Sequence, residues 1–363
     1  MKKIIGLIVI ILIVIGLFWA AGENEQGNPI KLGVIIPLTG AQAKAGEDIR
    51  AALEIAKNDL GNEVELIYED DGFSPERAVS AFNKLVTVDQ VDAIIGPLNG
   101  SAVEGIKPLA NQNEIIAYSP WGSSNKIEGY FIKGSHEADR EARALAELIV
   151  TKLDKKKPAV IYMNNDYGLL NYRSFKDEVE SRGGVLAGAE PFLIGSQDFR
   201  TSLLKLKNTN PDALFIVYNG AGVGLIAKQA REIGVNIPLF GAYATEASDL
   251  IAAGGDSLEG LIYTFPINEG SLTEKQQKFI SDFQKSTTGR PQVAAYNAYD
   301  IYSILTRALN ECEGKNASCA RDSILSLKNY QGVSGNISFD QNSIQRDFYF
   351  KTVKDGQFVK MEE

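Results

Sequence analysis

The sequence predicts an α/β protein built as two doubly wound parallel-sheet lobes joined by a three-strand hinge. Three observations predict it. From Ile30 onward, short apolar runs alternate with amphipathic segments of helical length, the pattern of strands connected by crossover helices. That alternation is completed twice, with a break near FIKGSHEAD (131–139). At 363 residues, 44% hydrophobic and 23% charged, the chain can bury a substantial core and has the length for two lobes.

Taken in order, KLGVIIPL from Lys31 is a buried strand, Gly46 to Leu60 a helix with Ile49, Leu53, Ala56 and Leu60 on one face, and EVELIYED a second strand. Pro75 to Val88 is a helix with proline in its first turn. The stretch from Asp92 to Asn125 then supplies strand, glycine turn, helix, strand and a second small-residue turn. After the break, helices over 138–153, 167–182, 198–207 and 223–233 alternate with strands at 158–163, 185–191 and 213–217 and at IPLFGAY. Glu274 to Thr287 and Val293 to Leu309 read as long amphipathic helices. GNISFD and DFYFKTVKDGQFV read as late strands, with a hairpin around Lys354-Asp355-Gly356. Crossings near 134, 266 and 335 assign 30–134 and 266–334 to lobe 1, and 135–265 and 335–363 to lobe 2.

Charge and cysteine usage narrow the function. A formal charge of -9 argues against a nucleic-acid surface, which needs clustered Lys and Arg. Lys2 and Lys3 precede an uncharged run from Ile4 to Ala21, so export is expected. Residues 1–29 read either as a signal peptide cut near Ala20-Ala21-Gly22 or as a retained membrane anchor, which the length of the run favours. Cys312 and Cys319, the only cysteines, flank a polar loop whose ends a disulfide would clip. With one histidine, His136, in the whole chain, no metal site and no cofactor are expected.

The turns after the two strands of 92–125 carry the first functional signal. Gly96, Gly100 and Gly122 permit close backbone approach, and the amides of Gly100 and Ser101 open a helix. Ser119, Ser123 and Ser124 add hydroxyls, so the two loops are expected to cradle an anionic or polar group. Catalysis is not expected: a hydrolase needs a nucleophile with a base, and a lone His136 leaves no pair. Asp70 and Asp71 sit at a strand end, where capping and bonding of loop amides is their expected role.

KLGVIIPLTGAQAKAGEDIRAALEIA, EDDGFSPERAV, IIGPLNGSAV, IIAYSPWGSSN, NNDYG, SQDFRTSLLKLKNTNPDALF, YNAYD and VSGNISFD…VKDGQFV together resemble the type I periplasmic solute-binding proteins of the branched-chain amino-acid branch. The resemblance runs in register from about residue 29 to the end. It implies an extracytoplasmic protein that captures an amino acid between its lobes and delivers it to an ABC transporter permease, acting as a monomer. Carried over residue by residue, the carboxylate cradle falls on Gly100, Ser101, Trp121 and Ser123, and Tyr167 reaches the cleft from the second lobe. Tyr218 and Tyr243 complete the second-lobe wall, and Tyr296, on a helix with Tyr299, is a further lining residue.

This chain departs from the family pattern where the ligand would sit. The acid that usually pairs the ligand ammonium is replaced by Tyr243; Glu246, three residues on, or Asp71 is then expected to substitute, unless the ligand has no ammonium. Trp121 stands where a small residue is usual, either packing the lobe core or offering the cleft an apolar wall, and Ala45 stands at a position often aromatic. The ligand is expected to be a small carboxylate, a branched-chain or hydrophobic amino acid, with a non-amino aromatic carboxylate or amide as the alternative. A sensor built on the same two-lobe fold is the rival class.

Overall fold

The computed structural model describes residues 29–40, 42–61, 63–122, 127–135, 138–247, 249–268, 270–287, 289–312 and 315–361. The N-terminal apolar run, Ser123, Ser124 and His136 lie outside the described residues. Among the described residues no helix is long and apolar enough to cross a membrane.

β1 (Ile30–Ile36) is buried along nearly its whole length, as a central strand covered on both faces must be. α1 (Ala43–Leu60) follows it and stops at Gly61 in a left-handed turn. β2 (Val64–Asp70) leads to α2 (Pro75–Lys84), which Pro75 opens and the Ser74 hydroxyl caps at the Arg77 amide. β3 (Ala93–Ile95), α3 (Gly100–Gln112), β4 (Ile116–Ser119) and β5 (Phe131–Lys133) complete the first pass.

The second pass runs through α4 (Ala138–Glu147), β6 (Pro158–Met163), α5 (Asp166–Ser181), β7 (Gly188–Phe192), α6 (Arg200–Asn208), β8 (Ala213–Val217), α7 (Gly220–Glu232), β9 (Leu239–Gly241), the short α8 (Leu250–Gly254) and β10 (Ile262–Phe265). β7 begins three residues later than the sequence suggested. Val185 instead donates its amide to the Lys156 carbonyl just ahead of β6, and its side chain is 65% exposed.

α9 (Glu274–Ser286), α10 (Val293–Glu311) and α11 (Ala317–Leu325) come next, then β11 (Tyr330–Gly332), β12 (Gly335–Asp340), β13 (Ser343–Gln345), β14 (Tyr349–Lys354) and β15 (Gln357–Lys360). α10 is buried on almost every face and packs against α1. Cys312, at its end, forms a disulfide with Cys319 across a Cα–Cα distance of 5.9 Å, as the spacing suggested.

Two sheets organise these elements. The first has the order β2-β1-β3-β4-β5-β13-β12-β11 and the second β7-β6-β8-β9-β10-β14-β15. The five leading strands of each are parallel and share one order, so each sheet reverses direction beside its first strand, between β1 and β3 and between β6 and β8. Ligands of such sheets bind at the carboxyl ends of the strands flanking that reversal. β14 runs antiparallel to β10 and forms a hairpin with β15, turning through Asp355 and Gly356, both at positive φ.

The assignment of 335–363 to the second lobe is corrected by this topology. β12 pairs with β11 and β13, and β13 pairs with β5, so residues 335–345 belong to the first sheet and the last crossing lies between Gln345 and Tyr349. Packing explains it. Ile337 and Phe339 are buried, with Phe339 edge-on to Tyr118 of β4. The Asp300 carboxylate on α10 accepts the amides of Val333 at 2.8 Å and Ser334 at 2.7 Å, pinning the start of the hairpin to the first half.

Candidate ligand-binding site

The loops that leave the first sheet at β3 and β4 are tied to one another. After β3, Gly96 takes φ 113°, and a side chain there would strike the Ile35 carbonyl oxygen. Asn99 caps α3: its Oδ1 accepts the Ser101 amide at 2.8 Å while its Nδ2 donates to the Phe73 carbonyl at 2.8 Å. Ser119, fully buried at the end of β4, donates to the Pro97 carbonyl at 2.5 Å and accepts the Gly122 amide at 2.7 Å. The Trp121 amide also points at this hydroxyl, at 3.4 Å.

The expectation of free amides is corrected for Ser101 and Trp121. The amides of Ser101, Trp121 and Gly122 bond within the two loops. Gly100 is half-buried at the start of α3, and the exposed Ser101 keeps its hydroxyl. Asp70 likewise holds loops together, accepting from the Leu38 amide at 2.8 Å, the Gly72 amide at 2.9 Å and Arg77 Nη2 at 2.9 Å. Its neighbour Asp71 is fully buried, and burial pushes its carboxyl above the usual range.

From the second sheet, Tyr167 at the start of α5 and Tyr243 in the turn after β9 meet edge to face, 6.3 Å between ring centroids. One acid organises both. Glu141 on α4, fully buried, accepts the Tyr243 amide at 2.5 Å and the Thr264 hydroxyl through Oε1, and the Tyr167 hydroxyl at 3.3 Å through Oε2. Burial, and then the Glu141 charge, hold both tyrosine hydroxyls protonated well above the usual range.

The two halves meet here. The half-buried Trp121 of the first half places its side chain beside the Tyr243 hydroxyl of the second, near enough to act against the rise in that hydroxyl's pKa. Trp121 thus turns toward the second sheet rather than only into its own core.

Arg346, in the connection from β13 to β14, lies under this contact. Nη1 donates to Asn297 Oδ1 at 2.7 Å and Nη2 to the Gly134 carbonyl at 3.1 Å. Asn297 Nδ2 in turn donates at 2.7 Å to the carbonyl of Pro120, the residue before Trp121. Arg346 is 4% exposed, and its Nε makes no hydrogen bond among the described residues. Burial lowers its pKa to about 10, with Asp300, Tyr118 and Tyr243 acting against that shift, so it is a cation at neutral pH.

Two expected site residues are placed elsewhere. Glu246 Oε2 accepts Lys351 Nζ at 2.6 Å and the Tyr263 hydroxyl, and the two charged side chains are 9% and 2% exposed, so Glu246 is a buried ion-pair partner within the second half. It is not the acid that replaces the one missing at Tyr243. Tyr296 is 1% exposed with its ring 5.1 Å from Phe279, in the core between α9 and α10.

Tyr218 follows β8 but packs on Phe192 at 4.8 Å and accepts the Gly195 amide at 3.3 Å, on the β7 side. Ser123 lies outside the described residues. The structure thus brings Trp121, Tyr167 and Tyr243 together, with Gly100 and Ser101 at the neighbouring strand end.

Sequence reasoning missed Glu141 and Arg346, although each carried a faint signal. Glu141 sits among Ala138, Ala142 and Leu145 on the inward face of α4, an odd place for an acid. Arg346 alternates with buried Ile344 at strand spacing. The arrangement combines an aromatic pair, a ring facing it and a buried cation. Among the described residues no cluster of His, Cys, Asp and Glu has the makings of a metal site.

Comparison with known proteins agrees with the fold. A family model described as periplasmic binding protein matches residues 29–357. The Leu/Ile/Val-binding protein of Escherichia coli K12 is 24% identical over 345 residues, covering 91% of this chain and 92% of its own. The crystal structure of a leucine-binding protein from Thermotoga maritima superposes with a TM-score of 0.82 at 24% identity, over 92% of this chain and 98% of that one. A solute-binding protein of an ABC transporter from R. palustris, solved with 4-hydroxybenzoate, does so with a TM-score of 0.82 at 20% identity, over 92% and 96%. The chain belongs to the periplasmic binding protein family, whose members bind solutes rather than transform them.

Proposed function

We propose that this protein is the extracytoplasmic binding component of an ABC importer and that its ligand is a small carboxylate carrying a ring and no ammonium group. The observation that carries the second part is Glu246. That acid, the expected partner of an ammonium, is engaged by Lys351 and Tyr263, and the position that should hold an acid holds Tyr243, whose hydroxyl is protonated. An ammonium enclosed without a carboxylate is strongly disfavoured, whereas Trp121 and the Tyr167–Tyr243 pair offer flat apolar faces to a ring. Binding energy would close two lobes over the ligand, and a permease would receive it. Tethering through residues 4–21 and action as a monomer belong to the same reading.

The second reading is a branched-chain or hydrophobic amino acid. Glu141 favours it, because a buried negative charge directly behind the hydroxyl of Tyr167 and the backbone of Tyr243 would attract an ammonium through them. The names of the relatives that bind leucine, isoleucine and valine support it too.

A thermal-melt screen of the full chain decides between the two. A ligand at a hundredfold its dissociation constant stabilises by about 2.7 kcal/mol, a visible rise in melting temperature. A shift with benzoate or 4-hydroxybenzoate and none with leucine, isoleucine, valine or phenylalanine is the expected outcome. A shift with the amino acids alone overturns the ring-acid reading in favour of the second.

A further inference from the structure

The family reading leaves unanswered what balances the negative charge of an enclosed carboxylate. Of the strand-end amides, that of Ser101 is bonded to Asn99, and those of Trp121 and Gly122 to the Ser119 hydroxyl. We propose that Arg346 is the residue that recognises the anionic group of the ligand, its guanidinium supplying the counter-charge beside the Trp121 loop and Tyr243.

Four observations converge on it. A guanidinium 4% exposed needs a compensating charge, yet its two bonded nitrogens meet neutral oxygens, Asn297 Oδ1 and the Gly134 carbonyl. Asp300, an acid whose field reaches it, gives its oxygens to the amides of Val333 and Ser334 and to the Ser334 hydroxyl.

Arg346 Nε, buried and without a hydrogen bond among the described residues, leaves one donor over. The Tyr118 hydroxyl, also buried and without a hydrogen bond among the described residues, lies within the guanidinium's field. Arg346 is also one residue's bonding away from the Trp121 loop, through Asn297 to the Pro120 carbonyl, and its field reaches Tyr243. Arginine suits the task because its planar fork meets a carboxylate with two parallel donors and stays charged when buried.

The same charge disfavours an ammonium near Tyr243, so the proposal rests on and sharpens the reading of a ligand without an amine. It also gives that ligand a chemical signature: the acid must bind far better than its amide.

The test is calorimetric titration of the full chain with benzoate and benzamide, in the natural protein and in Arg346→Gln. In the natural protein benzoate is expected to bind more tightly than benzamide. Arg346→Gln is expected to weaken benzoate roughly 10- to 100-fold and to leave benzamide within about twofold, because only the charged ligand loses a charge-assisted pair.

Equal losses for acid and amide would make Arg346 a pin between the chain crossings and overturn the proposal. So would an unchanged acid-to-amide ratio in a folded variant. Should Arg346→Gln not fold, Asn297→Asp carries the same test by placing a competing carboxylate on Arg346 Nη1, with the same selective loss of benzoate expected.

Failure of the functional reading looks different. A natural protein that binds leucine and not benzoate overturns the ring-acid reading, and the same comparison then runs with leucine and leucinamide, where Arg346 stands or falls by the ratio alone. A natural protein that binds neither acid overturns both.

Discussion

Glu141 and Glu246 are carboxylates of the second half, and their donors give them different work. Glu246 faces a cation, Lys351, and one phenol, Tyr263, so its role is to neutralise a buried charge. Glu141 accepts from an amide and two hydroxyls, which orient Tyr167 and Tyr243. Glu246→Gln is therefore expected to act on stability. Leaving Lys351 buried against a neutral amide should lower the unfolding free energy by about 3–5 kcal/mol in chemical denaturation, with ligand affinity of the folded protein unchanged. A lost affinity at undiminished stability would return Glu246 to the site. Sequence position alone pointed to Glu246, three residues past Tyr243. It gave no way to see that β10 and β14 supply its partners from 17 and 105 positions further on.

At the scale of elements, the ends of β1 and β2 are joined by Asp70. Burial raises its pKa, but the Thr39 hydroxyl, the Gly72 and Leu38 amides and Arg77 outweigh burial and hold the carboxyl well below its usual range. A carboxyl depressed in the folded state contributes stability that is present above its unfolded pKa of about 3.9 and is lost as pH falls toward the folded value. Asp70→Asn is expected to cost about 1–2 kcal/mol at neutral pH, the lower part of the range for bonds to a charged group because the site is partly solvated. The difference from the natural protein should shrink in melts taken below about pH 4, and a pH-independent difference would contradict the assignment. Here the sequence served well: two acids at a strand end before Gly72 were expected to bond loop amides, and Asp71 also accepts the Phe73 amide at 2.8 Å.

For the whole molecule, the contact between Trp121 and Tyr243 joins the carboxyl ends of the two sheets. A hydrogen bond made there by the indole N–H would be worth about 0.5–1.5 kcal/mol net, which changes an open-to-closed ratio by about 2- to 13-fold. Trp121→Phe keeps a ring and removes the N–H, so the unliganded variant is expected to show a larger radius of gyration in small-angle X-ray scattering. An unchanged scattering curve would mean that the contact does not bias closure.

The sequence by itself determined the alternation of strands and helices, the two passes, the disulfide loop and the family. These follow from local periodicity, turn residues and motifs lying in register along the chain. Only the tertiary structure decided which polar groups are free to meet a ligand. Ser101 and Trp121 give their amides to side chains two residues before them, and Glu246 its charge to Lys351. Arg346 and Glu141 entered the site from afar, bonded across separations of 212 and 102 residues. A hydrogen-bond donor satisfied by a partner distant in sequence looks, in the sequence, the same as one left for a ligand.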